Sequence, residues 1–591
     1  MKDQLSGDIS LERLFGSTEN SAALDAFSLR GAAVSRDDSC ICAVIGSPRP
    51  ERSVAGALAA LPPAELVLHL WAKYGTDTPL HLRGGFALAI VDRSRKSVFL
   101  AVDRFAVQTL CYSLDGNRLS FSDRADCVAG RGNTLDSQAI FDFLFFHMIP
   151  APRTIFKSVK RLPAAHCLLL DAQGVHQKRF WALRFEESKR QDFDSAKKNF
   201  LGLIRDSVAE EIQGHEQVGA FLSGGTDSST VAGMLCKIQG KPAKTYSIGF
   251  EAEGYDEMEY ARLAARHFGC EHHEYYVTPD DLLASIPAVA RHHDQPFGNS
   301  SALPAYYCAR MARQDGCTKI LAGDGGDELF GGNSRYAMQR IFNLYSTLPG
   351  GLRALIEPFC GDDSFLRKLP GLRQAAGYVR HSRIPMPDRL QSFNLVMRLD
   401  PQNVLAPGFI ETIDQNAPMQ HMRATWQDCE AQSLINRMLA YDWRYTLADS
   451  DLPKVRGATA MAGIDVGYPL LEDCFTDFSM QLEPEWKLKR LKLRWFFKEA
   501  LRGFLPDEIL TKKKHGFGLP YGPWMARTPA LRKLANESLH ALADRGIVQK
   551  PFIDALLDRH LPEHPGYYGE MVWILLMLEQ WIAGQDSPCT V

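Results

Sequence analysis

A chain of 591 residues exceeds what one typical hydrophobic core organises, so two large domains are expected, with three or four allowed by length alone. Apolar residues at 45% and charged residues at 23% exclude wholesale disorder, and 67 basic against 70 acidic residues, a formal charge of -3, do not supply the positive field of a nucleic-acid binder. The polar start MKDQLSGDIS, the absence of any apolar run of about 18 residues, and 13 irregularly spaced cysteines lead to an expectation of cytoplasmic residence, no membrane partner and no disulfide framework.

Residues 1 to about 185 carry short segments of strand character, among them His81 to Asp92, Ser97 to Val102 and Arg118 to Ser122, separated by Gly, Asp and Asn turns. This pattern predicts stacked antiparallel sheets. Cys167 to Leu170 and Phe180 to Leu183 read as the last strands of that domain, and the charged stretch Glu187 to Lys198 as a linker or helix start continuing amphipathically to about Ile212. From Val218 the pattern changes. Strands are predicted at Val218 to Leu222, Thr245 to Phe250, His273 to Val277 and Lys319 to Ala322, alternating with helices that begin at Ser228, Glu257 and Pro279. Such alternation predicts a parallel sheet with covering helices, an α/β domain of about residues 200 to 591. Beyond Tyr336 the reading is helical, with an extended polar passage at Pro370 to Pro387 and helices near Cys429 to Leu447 and Lys487 to Leu505.

Two loops carry the chemistry. Phe221 to Ser229, FLSGGTDSS, joins a strand to a helix; Gly224 and Gly225 bring backbone donors close to an anion, and Ser223, Ser228 and Ser229 add hydroxyls. Phosphate is the natural ligand, and Asp227 is useful beside it only if it holds Mg²⁺. Gly323 to Gly332, GDGGDELFGG, follows another strand and presents Asp324, Asp327 and Glu328, with Asp327 able to share the metal. A capped helix and a solvated acidic turn are the plain alternatives; two such loops after separate strands favour one Mg²⁺ and polyphosphate site. The absence of a G-x-x-x-x-G-K-[ST] pattern goes with cleavage between the α and β phosphates.

With these motifs the chain resembles the asparagine synthetases, two-domain class II amidotransferases, most closely over Val218 to Tyr336 and Asp442 to Trp524. The resemblance implies an N-terminal amidohydrolase-like antiparallel sandwich followed by an ATP pyrophosphatase α/β domain with a helical C-terminal part. It implies ATP and Mg²⁺, with Leu222, Ser223, Gly224, Gly225, Asp227, Ser228, Ser229, Ser247, Ile248 and Gly323 on the nucleotide and Asp227 and Asp327 on the metal. Asp324 takes the place of the acid that orients or deprotonates the amine, and Lys514, in TKKKHGFGLPYGPW, that of the catalytic lysine. Asp451 and Lys454 resemble the second wall of the cavity, Tyr468-Pro469-Leu470 with Asp473 matches its R-x-P-F-L-D element in part, and Gln295 in DQP stands where many relatives carry glutamate.

The resemblance breaks in the first domain. Class II glutaminases need an amino-terminal cysteine, and this sequence begins Met1-Lys2-Asp3; where an Asn-Gly element should hold glutamine it reads IGSPR, Ile45 to Arg49, and Ala106 replaces the glycine usual after Asp103-Arg104. A glutaminase-dead sandwich is therefore expected, with ammonia or a substrate amine as nucleophile. The acceptor stays open among asparagine formation, another small-molecule amide, and intramolecular closure as in β-lactam synthetases or lasso-peptide macrolactam cyclases, the last with a precursor peptide and partner protease; a homodimer is compatible with all. A non-catalytic ATP-binding scaffold and a thiolation enzyme are the alternatives outside this class.

Overall fold

Phe86–Asp92 and Ser97–Val102 are buried at every position, the signature of strands covered on both faces. They lie at the centre of a six-stranded sheet ordered Gly174–Arg179, His166–Asp171, Ser97–Val102, Phe86–Asp92, Cys40–Gly46 and Ala33–Arg36. A second sheet of five strands, from Lys160–Arg161 through Cys111–Asp115, Arg118–Ser122 and Ser6–Ser10 to Ser28–Arg30, stacks on it, and the strand pairs in both are antiparallel. Ile41, Ala89, Leu100, Phe121 and Leu168 fill the space between the sheets. The far face of the larger sheet is covered by helix Pro63–Tyr74, whose Trp71 donates Nε1–H to Asp92 at 2.8 Å. This computed structural model describes residues 4–15, 28–130, 134–252, 254–346, 348–356, 370–512 and 518–585.

The second half is built on a five-stranded parallel sheet ordered Glu271–Val277, Lys244–Phe250, Val218–Phe221, Lys319–Leu321 and Asp465–Gly467. The chain starts in the middle, runs outward one way, then returns to add strands on the other side. The order therefore reverses between Val218–Phe221 and Lys319–Leu321, and a crevice opens over their carboxyl ends. Tyr246, Ile248 and Phe250 point into the larger core with helices Pro279–His292 and Ala302–Gln314, while Ala220 and Leu321 face the opposite core with Phe200, Val231 and Leu235. Helix Pro565–Ala583 is apolar all round because it is buried in the larger core; no helix among the described residues is long and apolar enough to cross a membrane.

Four sequence expectations are corrected. Phe180 to Leu183 is not a strand, and the sandwich ends at Arg179; Phe180 still packs on the sandwich, while Trp181 and Leu183 serve the seam between the halves, where Trp181 stacks on Trp443 at 6.1 Å and 16° and meets Phe105. Pro370 to Pro387 is not extended: Pro370 opens a helix to Arg383, as proline does without penalty in a first turn, and Pro385 and Pro387 follow its end. The helix expected from Cys429 starts at Leu434, where Ser433 accepts Asn436 N–H at 3.3 Å, and widens to i→i+5 bonding over Trp443–Asp451. Lys487 to Leu505 is broken by the hairpin Leu488–Lys489 and Lys492–Leu493 before helix Trp495–Ala500.

Candidate active site

The strand Val218–Phe221 delivers Leu222 to Gly225 directly above the reversal point, and helix Thr226–Gln239 leads away from it. Gly224 lies at φ +69°, and a Cβ there would meet the backbone nitrogen of Ala261 at 2.5 Å, so only glycine lets the loop press on helix Met258–Phe268. Ser223 and Ser228 lock the turn: their hydroxyls are 2.9 Å apart, and Ser223 N–H donates to Ser228 Oγ at 3.1 Å. Ser229 Oγ is fully buried and has no hydrogen-bond partner. The loop thus presents backbone donors at the start of a 14-residue helix, an arrangement that stabilises phosphate.

Ser247 donates its hydroxyl to the Leu222 carbonyl, so it positions the loop from the neighbouring strand. Ile248 is buried in the core; the ladder to Val218–Phe221 stops at Phe221 and Tyr246, which leaves the Ile248 backbone beyond it along the crevice.

Gly323 packs so closely behind the first loop that a Cβ would meet Ser228 N at 2.8 Å. Helix Gly326–Phe330 then turns Asp327 toward Asp227, and a side chain at Gly326 would collide with the Asp227 carboxylate. The two carboxylates converge on Arg494: its Nη1 lies 2.6 and 2.8 Å from the Asp227 oxygens and 2.6 Å from Thr226 Oγ1, and its Nη2 contacts Asp327. Hard carboxylate oxygens facing one cationic group across the phosphate loop are a donor set that suits Mg²⁺, which takes one or two carboxylates together with phosphate oxygens and water. Among the described residues no cluster of three or more His, Cys, Asp or Glu side chains could enclose a metal.

On the other side of the crevice Asp324 accepts from Lys454 Nζ at 3.4 Å, and Lys454 also reaches Asp451 at 3.0 Å. Burial raises the Asp324 carboxyl above its ordinary value despite Lys454, with Asp451 adding to the effect. Burial pulls Lys454 down, but the two carboxylates outweigh it and hold the ammonium firmly protonated. Asn299 Nδ2 bonds Ser450 and Asp451 at 3.2 and 3.3 Å and fixes that wall.

Every sequence-derived site residue on the two loops, together with Ser247, Ile248, Asp451 and Lys454, gathers at this crevice, whereas Lys514 lies outside the described residues. Its flank is placed: Lys512 pairs with Glu257 at 3.0 Å and sits 4.3 Å from the Tyr260 ring, on the helix that backs Gly224. Arg494 was missed by sequence reasoning. It sits in a run of alternating basic residues, KLKRLKLRW, and its left-handed backbone, φ +52°, has no signature in a non-glycine residue. Gln295 accepts Ile155 N–H at 3.2 Å and Asp294 accepts Ala125 N–H at 2.8 Å, so the DQP segment fastens the sandwich to the second half.

A phosphate loop, paired carboxylates and a lysine–carboxylate wall on a parallel sheet, joined to an antiparallel sandwich, define a two-domain ATP-dependent ligase. The asparagine synthase family model matches residues 199–583, and a glutamine amidotransferase domain model matches residues 59–181. The chain belongs to the asparagine synthase family. It is similar to asparagine synthetase [glutamine-hydrolyzing] 1 of Bacillus subtilis, 23% identical over 523 residues covering 88% of this chain and 80% of the relative. It is likewise similar to a putative asparagine synthetase of Mycobacterium tuberculosis, 24% identical over 533 residues covering 88% and 79%, and to a Methanocaldococcus jannaschii counterpart, 32% identical over 302 residues covering 49% and 58%.

Proposed function

We propose that this ligase activates a substrate carboxylate as its acyl-adenylate and joins it to ammonia or to an amine of the substrate, without drawing on glutamine. A carboxylate oxygen attacks the α-phosphorus of ATP, the α–β bridging P–O bond breaks, and pyrophosphate leaves into the Ser223–Ser229 cradle. The amine then attacks the acyl carbon, AMP departs with the electron pair of the C–O bond, and the amine proton passes to Asp324. Mg²⁺ held by Asp227 and Asp327 would neutralise the phosphate charge during the first step. The observation that carries this reading is the convergence of the Asp227 and Asp327 carboxylates, held by the Arg494 guanidinium, at the mouth of the phosphate loop.

Independence from glutamine is supported within the sandwich. Arg49, in the IGSPR stretch, is committed to Glu472 and lies 3.7 Å from Glu211. A nucleophilic cysteine needs a depressed pKa. Burial instead raises Cys40 to about 11 and Cys167 to about 11, and lifts Cys42, Cys111 and Cys127 as well. We take residues 1–185 as this relic domain and 200–591 as the ligase. The acceptor is a small-molecule or peptide carboxylate; closure of an internal amide, with a precursor peptide and a protease as partners, is the form this chemistry takes if the amine resides on the substrate.

The test is carboxylate-dependent release of AMP and pyrophosphate across amino acids and candidate peptides, with ammonia, glutamine or no added amine. ADP and phosphate as stoichiometric products would overturn the adenylate; glutamate release abolished by a thiol alkylator would overturn the nitrogen source. Two variants separate the roles: Asp227→Asn weakens Mg·ATP binding, while Lys514→Met, placed by motif as a stabiliser of charge developing on phosphate and acyl oxygens, lowers turnover about 10²-fold or more with nucleotide affinity nearly unchanged.

A further inference from the structure

A second concave site lies among the helices that follow the acidic loop. It is a cavity of about 670 Å³ walled by Arg353, Arg383, Arg389 and Arg437, with Trp426 and Tyr345 among its other lining residues. Its volume falls in the range of small-molecule pockets. The four arginines come from separate segments: helix Gly350–Ile356, the end of helix Pro370–Arg383, the turn Asp388–Gln391 and helix Leu434–Asp442. No aspartate or glutamate is among the described lining residues.

Arg389 is only 3% exposed, and its Nε and Nη1 are buried without a hydrogen-bond partner. Its guanidinium has the Phe342 ring at 5.9 Å, and burial lowers its pKa. The adjacent carboxylate, Asp388, is taken by Arg423 through two bonds of 2.9 and 2.6 Å. Glu187, at the Gln432 edge, is taken by the backbone of Gln432 and Ser433 and by the Ser433 and Asn436 side chains. Arg437 is stacked 4.6 Å from the Trp426 ring, gives Nη2–H to the Trp426 carbonyl at 3.0 Å, and keeps a buried, unpartnered Nε. Arg353 Nε is buried and unpartnered as well. A desolvated guanidinium without a counter-charge is strongly disfavoured, and four unpartnered nitrogens on three arginines that line one cavity, with no acid among the described lining residues, call for an anion as ligand. The planar fork of arginine matches carboxylate and phosphate oxygens in particular.

We propose that this cavity binds a small anion bearing phosphate or carboxylate groups, gripped by Arg389 and Arg437, at a site separate from the ligase crevice. Helix Ser334–Ser346 spans the gap: Arg335 at its start bonds Asp442 beside the acidic loop, whereas Asn343 and Tyr345 near its end line the cavity. Eight to ten residues of helix separate the two by about 12–15 Å.

The test is calorimetric titration of the full chain with inorganic phosphate and, separately, with tricarballylate, each with and without saturating Mg²⁺ and α,β-methylene-ATP to fill the ligase crevice. One anion site that persists under nucleotide is expected, and the tighter probe tells phosphate chemistry from carboxylate chemistry. Arg389→Gln weakens that site at least about 10-fold, as loss of a charge-assisted contact should; Arg353→Gln, at a half-buried wall position, weakens it in the same direction, and thermal midpoints of both variants separate lost binding from lost folding. Binding that disappears when nucleotide is present, or an isotherm unchanged by both substitutions, overturns the proposal.

Discussion

At the level of single residues, the crevice is organised by charges that each have more than one claimant. Lys454 is shared between Asp324 and Asp451, and it is the main influence restraining the upward drift of the Asp324 carboxyl. If Asp324 accepts the amine proton, activity requires its ionised form and rises with pH through its pKa. Removing the ammonium lets burial and Asp451 act unopposed, so Lys454→Met should move the acid limb of the pH–rate profile upward, by about one pH unit for a ~1.4 kcal/mol loss of attraction. Profiles of kcat for the two proteins check this; an acid limb that stays in place would mean that Asp324 only shapes the loop. The grouping of the motif residues was legible because they lie at short spacing in two loops that follow neighbouring strands of one parallel sheet. Arg494 was not, because its contact with Asp227 spans 267 residues and depends on a backbone conformation that sequence does not announce.

At the level of elements, four of the five strands of the ligase sheet were readable within a residue or two, the central ones as short apolar runs between turns; Asp465–Gly467, three residues at the sheet edge, was not read. The helical region was less so. Its helices are interrupted by hairpins and widened turns whose causes are tertiary, and Glu187 shows why. A residue in a charged stretch read from sequence as linker, it accepts from the backbone of Gln432 and Ser433, from the Ser433 hydroxyl at 2.5 Å and from Asn436 at 2.7 Å, capping helix Leu434–Asp442 from about 250 residues away. Burial opposes ionisation there, but these donors win and depress the pKa. A depressed carboxylate supplies stability above its unfolded value of 4.5 and loses it as pH falls through the folded value. Glu187→Ala should therefore cost about 1–2 kcal/mol near neutral pH, as loss of a charged helix cap does. The gap between mutant and wild-type thermal midpoints should close as the pH is taken below about 4.5. A gap independent of pH would assign the residue a packing role instead.

At the level of the whole molecule, the two halves meet through arginines of the sandwich and acids of the ligase. Arg83 binds Glu210 at 2.7 Å, Arg104 lies 3.5 Å from Asp473 and 3.2 Å from Asp477, and Arg49 contacts Glu472. Around Arg49 the charges are buried and interlocked, because Glu211 also holds Lys319 at 2.7 Å. Glu472 is 3% exposed, and burial with the neighbouring Glu211 raises its carboxyl to about 8 in spite of Arg49. The folded state therefore keeps a proton that the unfolded chain has already released above 4.5, and this group's contribution to stability declines as pH rises from there toward the folded value. Glu472→Gln mimics the protonated form and should cost little near pH 6, while on going to about pH 9 the wild type should lose thermal stability relative to it. Arg49→Met, by contrast, leaves Glu211 and, at about pH 9 where Glu472 is ionised, both carboxylates buried with one cation fewer, and should there cost about 3–5 kcal/mol, the penalty of breaking a buried pair from one side. Adding Glu472→Gln to Arg49→Met should recover part of that loss, and a double-mutant cycle by denaturant unfolding measures how much. Strictly additive effects, with no divergence between pH 6 and 9, would mean that the Arg49 contact joins the halves as a solvated surface pair and that the sandwich is held by its aromatic seam at Phe105, Trp181 and Trp443.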